Sequence, residues 1–339
     1  GSKKMKKLLT TAAIASAALF GLAGQASADG HCGSLTIAEM NWASAEFIAN
    51  LDKIVLESGF GCEIELIPGA TMTTFASMDS KGVPDVAPEL WANAVQTPLK
   101  KAVSENRMAV LNTAPITGAG EGWMIDAKTA KENNLKTLAD VIARPDLFPH
   151  PEDASKGGFV TCPAGWGCQI ASNNLFSKGF KMADKGWKIV DSGSSAGLDG
   201  SIEKAANRGE AWFGYYWGPT VLASKANLFL LDMGSYAGDD HWDNCVMDPE
   251  CADVKPSAWV TSVVTTAVTS NFLEVGPKVA QDYIAKRQFP ADAMNTMLKL
   301  KDDNQWTGED TAYEFMARYP DLWKSWVPAD VAAKIEKSL

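Results

Sequence analysis

Histidine is scarce: three in 339 residues, His31, His150 and His241, spread along the chain. That leaves no His-rich zinc site and gives a serine or cysteine nucleophile no partnered base. Positive charge is also in the minority, with 31 Lys and Arg against 41 Asp and Glu. The first 28 residues hold four of the lysines and no acid, so without them the net charge falls from −10 to −14. A surface of that sign repels phosphate backbones and anionic bilayers, which excludes nucleic acid as a partner. Beyond residue 28 no apolar run approaches the ~18 residues of a spanning helix, and no internal repeat or low-complexity tract is visible.

The N-terminus carries an address. Lys6 and Lys7 form a positive start, residues 8–23 are apolar, and Ala26-Ser27-Ala28 is an A-x-A cleavage site. These are the parts of a secretory signal peptide. Residues 1–28, with the four before Met5 as a tag, are therefore set apart from the fold. The mature chain is expected to begin near Asp29 and to be exported to a bacterial periplasm. The six cysteines agree, because an even number suits disulfides in an oxidising compartment. Cys162 and Cys168, and likewise Cys245 and Cys251, stand six positions apart across a proline-containing segment. Cys32 and Cys62 remain, each just before an apolar run (35–38 and 64–67). If those runs are neighbouring parallel strands, the two cysteines sit side by side. The paired short spacings of a four-thiolate zinc site are absent.

Periodicity gives the organisation. Residues 35–38, 62–67 and 85–90 read as strands, separated by helical spacing over 45–58 and 73–79. That alternation predicts an α/β unit with a parallel sheet. Further strands are expected at 159–161, 187–190, 211–217, 228–231 and 260–268, with apolar runs at 109–116 and 122–125. Helices are expected at 138–143, 170–176, 201–208, 274–286, 291–300, 309–318 and 329–337. An acidic segment, 234–256, has no periodicity. Two lobes fit this order: residues 29–120 with 256–339, and residues 121–255, with crossings near 117–121 and 255–262. A cleft between two such lobes is a natural ligand site.

Tryptophan is the surplus, at 12 residues. Trp187, Trp212, Trp259, Trp306, Trp323 and Trp326 sit in strand or amphipathic contexts that suggest packing, and Trp242 lies in the acidic segment without an assigned role. Trp42, Trp91, Trp123, Trp166 and Trp217 each follow an apolar strand or occupy a Gly/Pro-rich turn. Strand carboxyl ends are where α/β sheets bind ligands. Indoles converging there would form an electron-rich box for a quaternary ammonium group, each face contributing ~0.5–2 kcal/mol.

Three segments carry a resemblance. Thr161-Cys162-Pro163-Ala164-Gly165-Trp166-Gly167-Cys168 resembles the Cys-flanked Trp turn of glycine-betaine/proline-betaine-binding proteins of ABC importers, with the proline one place nearer the first cysteine. The stretch from Gly118 to Ala130, with Gly122-Trp123-Met124-Ile125-Asp126, is similar to that family's Gly-Tyr-Leu-Ile-Asp-Lys-Lys-Thr-Ala region. Phe213-Gly214-Tyr215-Tyr216-Trp217-Gly218-Pro219 is similar to its Tyr-Tyr-x-Trp-x-Pro strand end. The resemblance implies a two-lobed type II periplasmic-binding fold, no catalytic activity, a ligand in the interlobe cleft and delivery to importer membrane subunits, with the carrier expected to be a monomer. Carried over by position, Trp91, Trp166 and Trp217 are the box, and Trp42 and Trp123 would close it further.

Glu121 stands where the family tends to have a neutral residue. A carboxylate at the ligand's polar end would repel a betaine carboxylate and suit a cation without one. Trimethylamine N-oxide is the expected ligand, with choline or glycine betaine as the alternatives, and the trimethylamine N-oxide binders are the most similar subfamily. Those binders imply one more feature, a Ca²⁺-holding loop, for which Asp239, Asp240, Asp243, Asn244, Asp248 and Glu250 are the candidate ligands, since Ca²⁺ takes hard oxygens. An exported hydrolase and a sensor domain of the same fold remain as competing readings. The missing free thiol and isolated histidines weigh against the first.

Overall fold

The computed structural model describes residues 32–339; the signal segment, 1–28, lies outside the described residues. The chain first forms β1 (Ser34–Met40), β2 (Glu63–Gly69), β3 (Val86–Trp91) and β4 (Met108–Asn112). It then crosses to β5 (Gly120–Asp126), β6 (Pro149–His150), β7 (Asp153–Val160), β8 (Trp187–Val190), β9 (Phe213–Gly218) and β10 (Leu228–Leu230), and returns as β11 (Val264–Thr269). Among the described residues these strands make two sheets, ordered β2-β1-β3-β11-β4 and β10-β5-β9-β7-β6, with β8 paired to β7. Helices flank both, so the class is α/β. No described helix is long and apolar enough to cross a membrane.

β1 runs parallel to β2 and β3, as strands joined through helices must. Ser34 pairs with Glu63, and the register continues to Met40 opposite Gly69. This puts Cys32 beside Cys62 at the strand starts, where they are bridged; Cys162–Cys168 and Cys245–Cys251 are bridged as well. The sheets are not purely parallel, however. β11 re-enters antiparallel to both β3 and β4, and β5 is antiparallel to β9 and β10. Other details also depart from the periodicity. The helix expected at 274–286 is two, Ser270–Val275 and Lys278–Lys286, parted at Gly276-Pro277. Pro277 lacks the N–H a continuous helix needs. The aperiodic acidic segment contains the short turns Asp239–His241 and Trp242–Val246.

Each sheet has its own packing. The helix Ala43–Phe60 buries Phe47, Leu51, Ile54 and Val55 along one stripe and stops at Gly61, whose φ of 70° is left-handed. Beneath it the fully buried Arg287 donates from Nε and Nη2 to Asp52, both at 2.6 Å, and Tyr283 donates to the same carboxylate at 2.8 Å. Arg287 Nη1 reaches Thr266 on β11 at 3.0 Å. Breaking such a pair by removing one partner costs ~3–5 kcal/mol. The second sheet centres on Phe159, Phe213, Trp187 and Trp123, all buried.

Candidate ligand-binding site

Between the sheets lies a small, partly open cavity. Trp42, Thr71, Trp91 and Asn93 line it from the first sheet's side; Glu121, Trp166, Tyr215 and Trp217 line it from the second. Trp242, Met247 and Trp259, from the acidic segment and the return crossing, close the remaining wall. No lysine or arginine is among these lining residues.

Backbone geometry delivers the rings. Trp42 and Trp166 are each the extended residue just before a helix, at Ala43 and Gly167, so each indole leaves its chain at a helix start. Trp91 ends β3 and Trp217 lies near the end of β9. In the Cys162–Cys168 loop, Gly165 takes φ 86°, a left-handed value that needs glycine. The carbonyl of Gly165 accepts from Met72 N across the cleft, at 3.1 Å. The rings then meet edge to face: Trp42 on Trp166 at 5.4 Å, Trp166 on Trp217 at 5.1 Å, and Trp242 on Trp259 at 5.1 Å. Tyr215 joins the two groups, 6.4 Å from Trp217 and 5.6 Å from Trp259. Each edge-to-face contact occupies one face of one ring in the pair, and the remaining faces are the ones that could meet a cation.

Two buried carboxyls serve this box. Glu121 accepts from Tyr215 Oη at 2.5 Å and from Asn93 Nδ2, on the opposite lobe, at 2.7 Å. Burial raises its pKa against the lowering effect of those donors. Trp259 Nε1 faces the same carboxyl without forming a hydrogen bond and is buried without a partner. Glu89, on β3, accepts at one oxygen from Trp42 Nε1 (2.8 Å), Trp91 Nε1 (3.0 Å) and Ser44 Oγ (3.1 Å). Burial pushes its carboxyl up to about 7, although all three donors pull the other way. Trp166 Nε1 donates across the cleft to Asn41 Oδ1 at 2.8 Å.

Of the residues expected from sequence, Trp42, Trp91, Trp166, Trp217 and Glu121 converge on this cavity, and Trp123 does not. Trp123 is wholly buried against Phe159 at 4.5 Å and Phe180 at 5.8 Å, and its Nε1 donates to Ser172 at 3.1 Å. It shares a face of β5 with Glu121 but sits two residues further in, ~7 Å along the strand. There the helix Gly167–Asn174 covers it. Trp259, expected to pack, and Trp242, without an assigned role, both line the cavity, as do Tyr215 and Asn93.

Acidic residues expected as calcium ligands are engaged in local hydrogen bonds. Asp239 accepts from Tyr236 Oη at 2.8 Å, Asp240 from Asn244 at 2.9 Å, and Asp248 from the Glu250 backbone at 2.9 Å. Among the described residues no three His, Cys, Asp or Glu side chains gather as a metal would require. In the hydrolase-like spacing Gly193-Ser194-Ser195-Ala196-Gly197, Ser195 opens the helix Ser195–Arg208, and Ser194 caps that helix by accepting from Gly197 N at 3.0 Å. His150, on β6, has both ring nitrogens engaged, by Ile189 O and Glu152 N.

Known proteins share this architecture. A solved choline-binding protein of an ABC transporter, in complex with choline, superposes with TM-score 0.70 at 17% identity, covering 91% of this chain and 98% of that one. A glycine betaine/L-proline-binding protein from Borrelia burgdorferi gives 0.68 at 19%, covering 89% and 99%. A lactococcal protein in its closed conformation complexed with glycine betaine gives 0.63 at 16%, covering 87% and 100%. At these identities the likeness shows the fold, that of type II periplasmic binding proteins. A comparison with curated protein sequences finds no match. The family model for the substrate binding domain of ABC-type glycine betaine transport systems matches residues 33–318, and the chain belongs to that family.

Proposed function

We propose that this protein captures a small trimethylated amine lacking a carboxylate, trimethylamine N-oxide first and choline second, in the interlobe box and hands it to importer membrane subunits in the periplasm. The observation that carries the reading is the cavity's composition: six Trp and one Tyr around Glu121, with no lysine or arginine in the lining. A trimethylammonium head gains ~0.5–2 kcal/mol from each indole face it meets, more where water is excluded. A betaine's carboxylate would find a carboxyl and no counter-cation, and burying it unpaired costs several kcal/mol. An N-oxide oxygen can instead share a proton with Glu121, whose raised pKa favours the protonated form. Asn93 ties Glu121 to the first lobe, so the polar end of the ligand would be read only when the cleft is shut.

Calorimetric titration with trimethylamine N-oxide, choline, glycine betaine and carnitine tests this. Trimethylamine N-oxide or choline should bind most tightly. Tightest binding of glycine betaine would overturn the role given to Glu121, and no binding of any of the four would overturn the box.

A further inference from the structure

The Glu89 carboxyl lies behind the rings of the box and has no part in reading the ligand's polar end. We propose that Glu89 is a buried counter-charge that loses its proton when a trimethylammonium group enters. This rests on the reading of the cavity as a trimethylammonium box.

Four observations support it. Glu89 is 1% exposed and sits on β3 between the two indoles it binds. Its Oε1 receives Trp42, Trp91 and Ser44 as donors, whereas Oε2 is buried with no partner. All three donors belong to the first lobe, so the arrangement does not depend on cleft closure. Finally, both indoles it engages line the cavity, and an N–H donated to a carboxylate polarises its ring toward a more negative face.

The charges around Glu89 are few. Arg287 attracts its ionised form from a distance, but the Arg287 guanidinium is already held by Asp52, with Tyr283 on the same carboxylate. Glu39, on the adjacent β1, is engaged by Asn50 at 2.8 Å. Across the cavity stand Glu121 and Tyr215, hydrogen-bonded to each other. None of these supplies a free positive charge; the ligand's trimethylated nitrogen brings one against the indoles.

The sign follows from linkage. Burial holds the Glu89 pKa near 7 in the ligand-free box, above its ordinary 4.5. A cation lodged against the indoles favours the carboxylate and lowers that value. The released proton passes to the buffer, and by reciprocity affinity rises with pH up to about 7 and levels off above it. At pH 6 the group is mostly protonated before the ligand enters, so a large part of a proton should leave per ligand bound from this group alone.

Calorimetry at pH 6 in buffers of different ionisation enthalpy counts those protons for the tighter binder of trimethylamine N-oxide and choline. Comparing variants with one ligand subtracts protons carried by the ligand itself. Wild type and Glu121→Gln should release at least about half a proton more per ligand than Glu89→Gln. Glu89→Gln should bind severalfold more weakly, with a flattened pH profile. Should Glu89→Gln not fold, infrared difference spectra of Glu121→Gln decide: ligand should remove a protonated-carboxyl band. Binding by wild type with equal proton counts in Glu89→Gln, or with that band unchanged, overturns the counter-charge and leaves the box standing. Failure of wild type to bind either amine overturns both.

Discussion

Two aromatic clusters a few residues apart use the same side chain for opposite ends. Around Trp123 the neighbours are phenylalanines, Phe159, Phe180 and Phe213, and the indole N–H is spent on Ser172 in the overlying helix. Around the cavity the neighbours are other indoles and Tyr215, whose N–H and O–H groups reach carboxyls or an amide, or are left buried without a partner. The first cluster fills space. The second lines a cavity, and it does so with groups that present charge or dipoles to it. A tryptophan's role is therefore set by what its N–H and its ring edges meet, and strand-end position alone does not decide it.

The largest effect should separate the clusters directly. Trp123→Ala removes a fully buried ring from a closed core and should cost ~3–5 kcal/mol of stability. Denaturant unfolding measures this. Trp166→Ala opens onto an existing cavity, should cost less stability, and should weaken ligand binding by at least ~1 kcal/mol. Equal destabilisation by both would erase the distinction.

Next in size is the polar end. Glu121→Ala should lose ~1.5–3 kcal/mol of trimethylamine N-oxide affinity, the range for a hydrogen bond with a charged partner. Glu121→Gln still donates, so it should keep part of that affinity and bind glycine betaine better than wild type. Titrations of the two variants with both ligands check the order. If the alanine variant holds the N-oxide as tightly as wild type, Glu121 is not the reader.

Closure can be tested at one atom. A Cβ on Gly167, in the first turn of its helix, would stand 2.2 Å from Ala94 Cβ on the opposite lobe. Gly167→Ala should therefore oppose the shut cleft and weaken binding by ~1–3 kcal/mol, the usual cost of overpacking. Adding Ala94→Gly should restore it. A Gly167→Ala protein that binds normally, or that Ala94→Gly fails to rescue, would mean the cleft shuts without this contact.

Much of this was legible in the sequence, for reasons visible in particular residues. The alternation from 35 to 90 marked parallel strands because helices must return the chain, and β1, β2 and β3 follow it. Trp42, Trp91, Trp166 and Trp217 could be picked out because each sits where a strand ends or a Gly/Pro turn begins. Trp123 looked alike locally, and only the helix above it, a tertiary neighbour, assigns it to the core. Trp242 could not be read because the segment bearing it has no periodicity, and Trp259 looked like a packing residue beside a strand; the Cys245–Cys251 bridge and the return crossing bring them to the cavity. The signal worth using is a tryptophan beside a cysteine in a polar segment, which a solvated loop would not retain in a buried place: Trp242 is 1% exposed.

That same segment yields the smallest expected effect. Its acids look like calcium ligands in sequence, yet a calcium ion needs ~6–8 oxygens converging on one point. Here the oxygens are divided among local bonds: Asp239 to Tyr236, Asp240 to Asn244, Asp248 to its own turn. What holds the segment is covalent, apolar and hydrogen-bonded: Cys245–Cys251, buried Trp242 and Val246, and Asn174 Nδ2 donating to the carbonyls of Val246 and Asp248 at 2.9 and 2.8 Å. An ion that bound only the folded chain would raise its melting temperature by mass action. Excess chelator should therefore leave the melting temperature unchanged, whereas reducing the disulfides should lower it. A fall on chelation that added Ca²⁺ reverses would show that the acids regroup around an ion, and that the wall bearing Trp242 is built by metal as well as by packing.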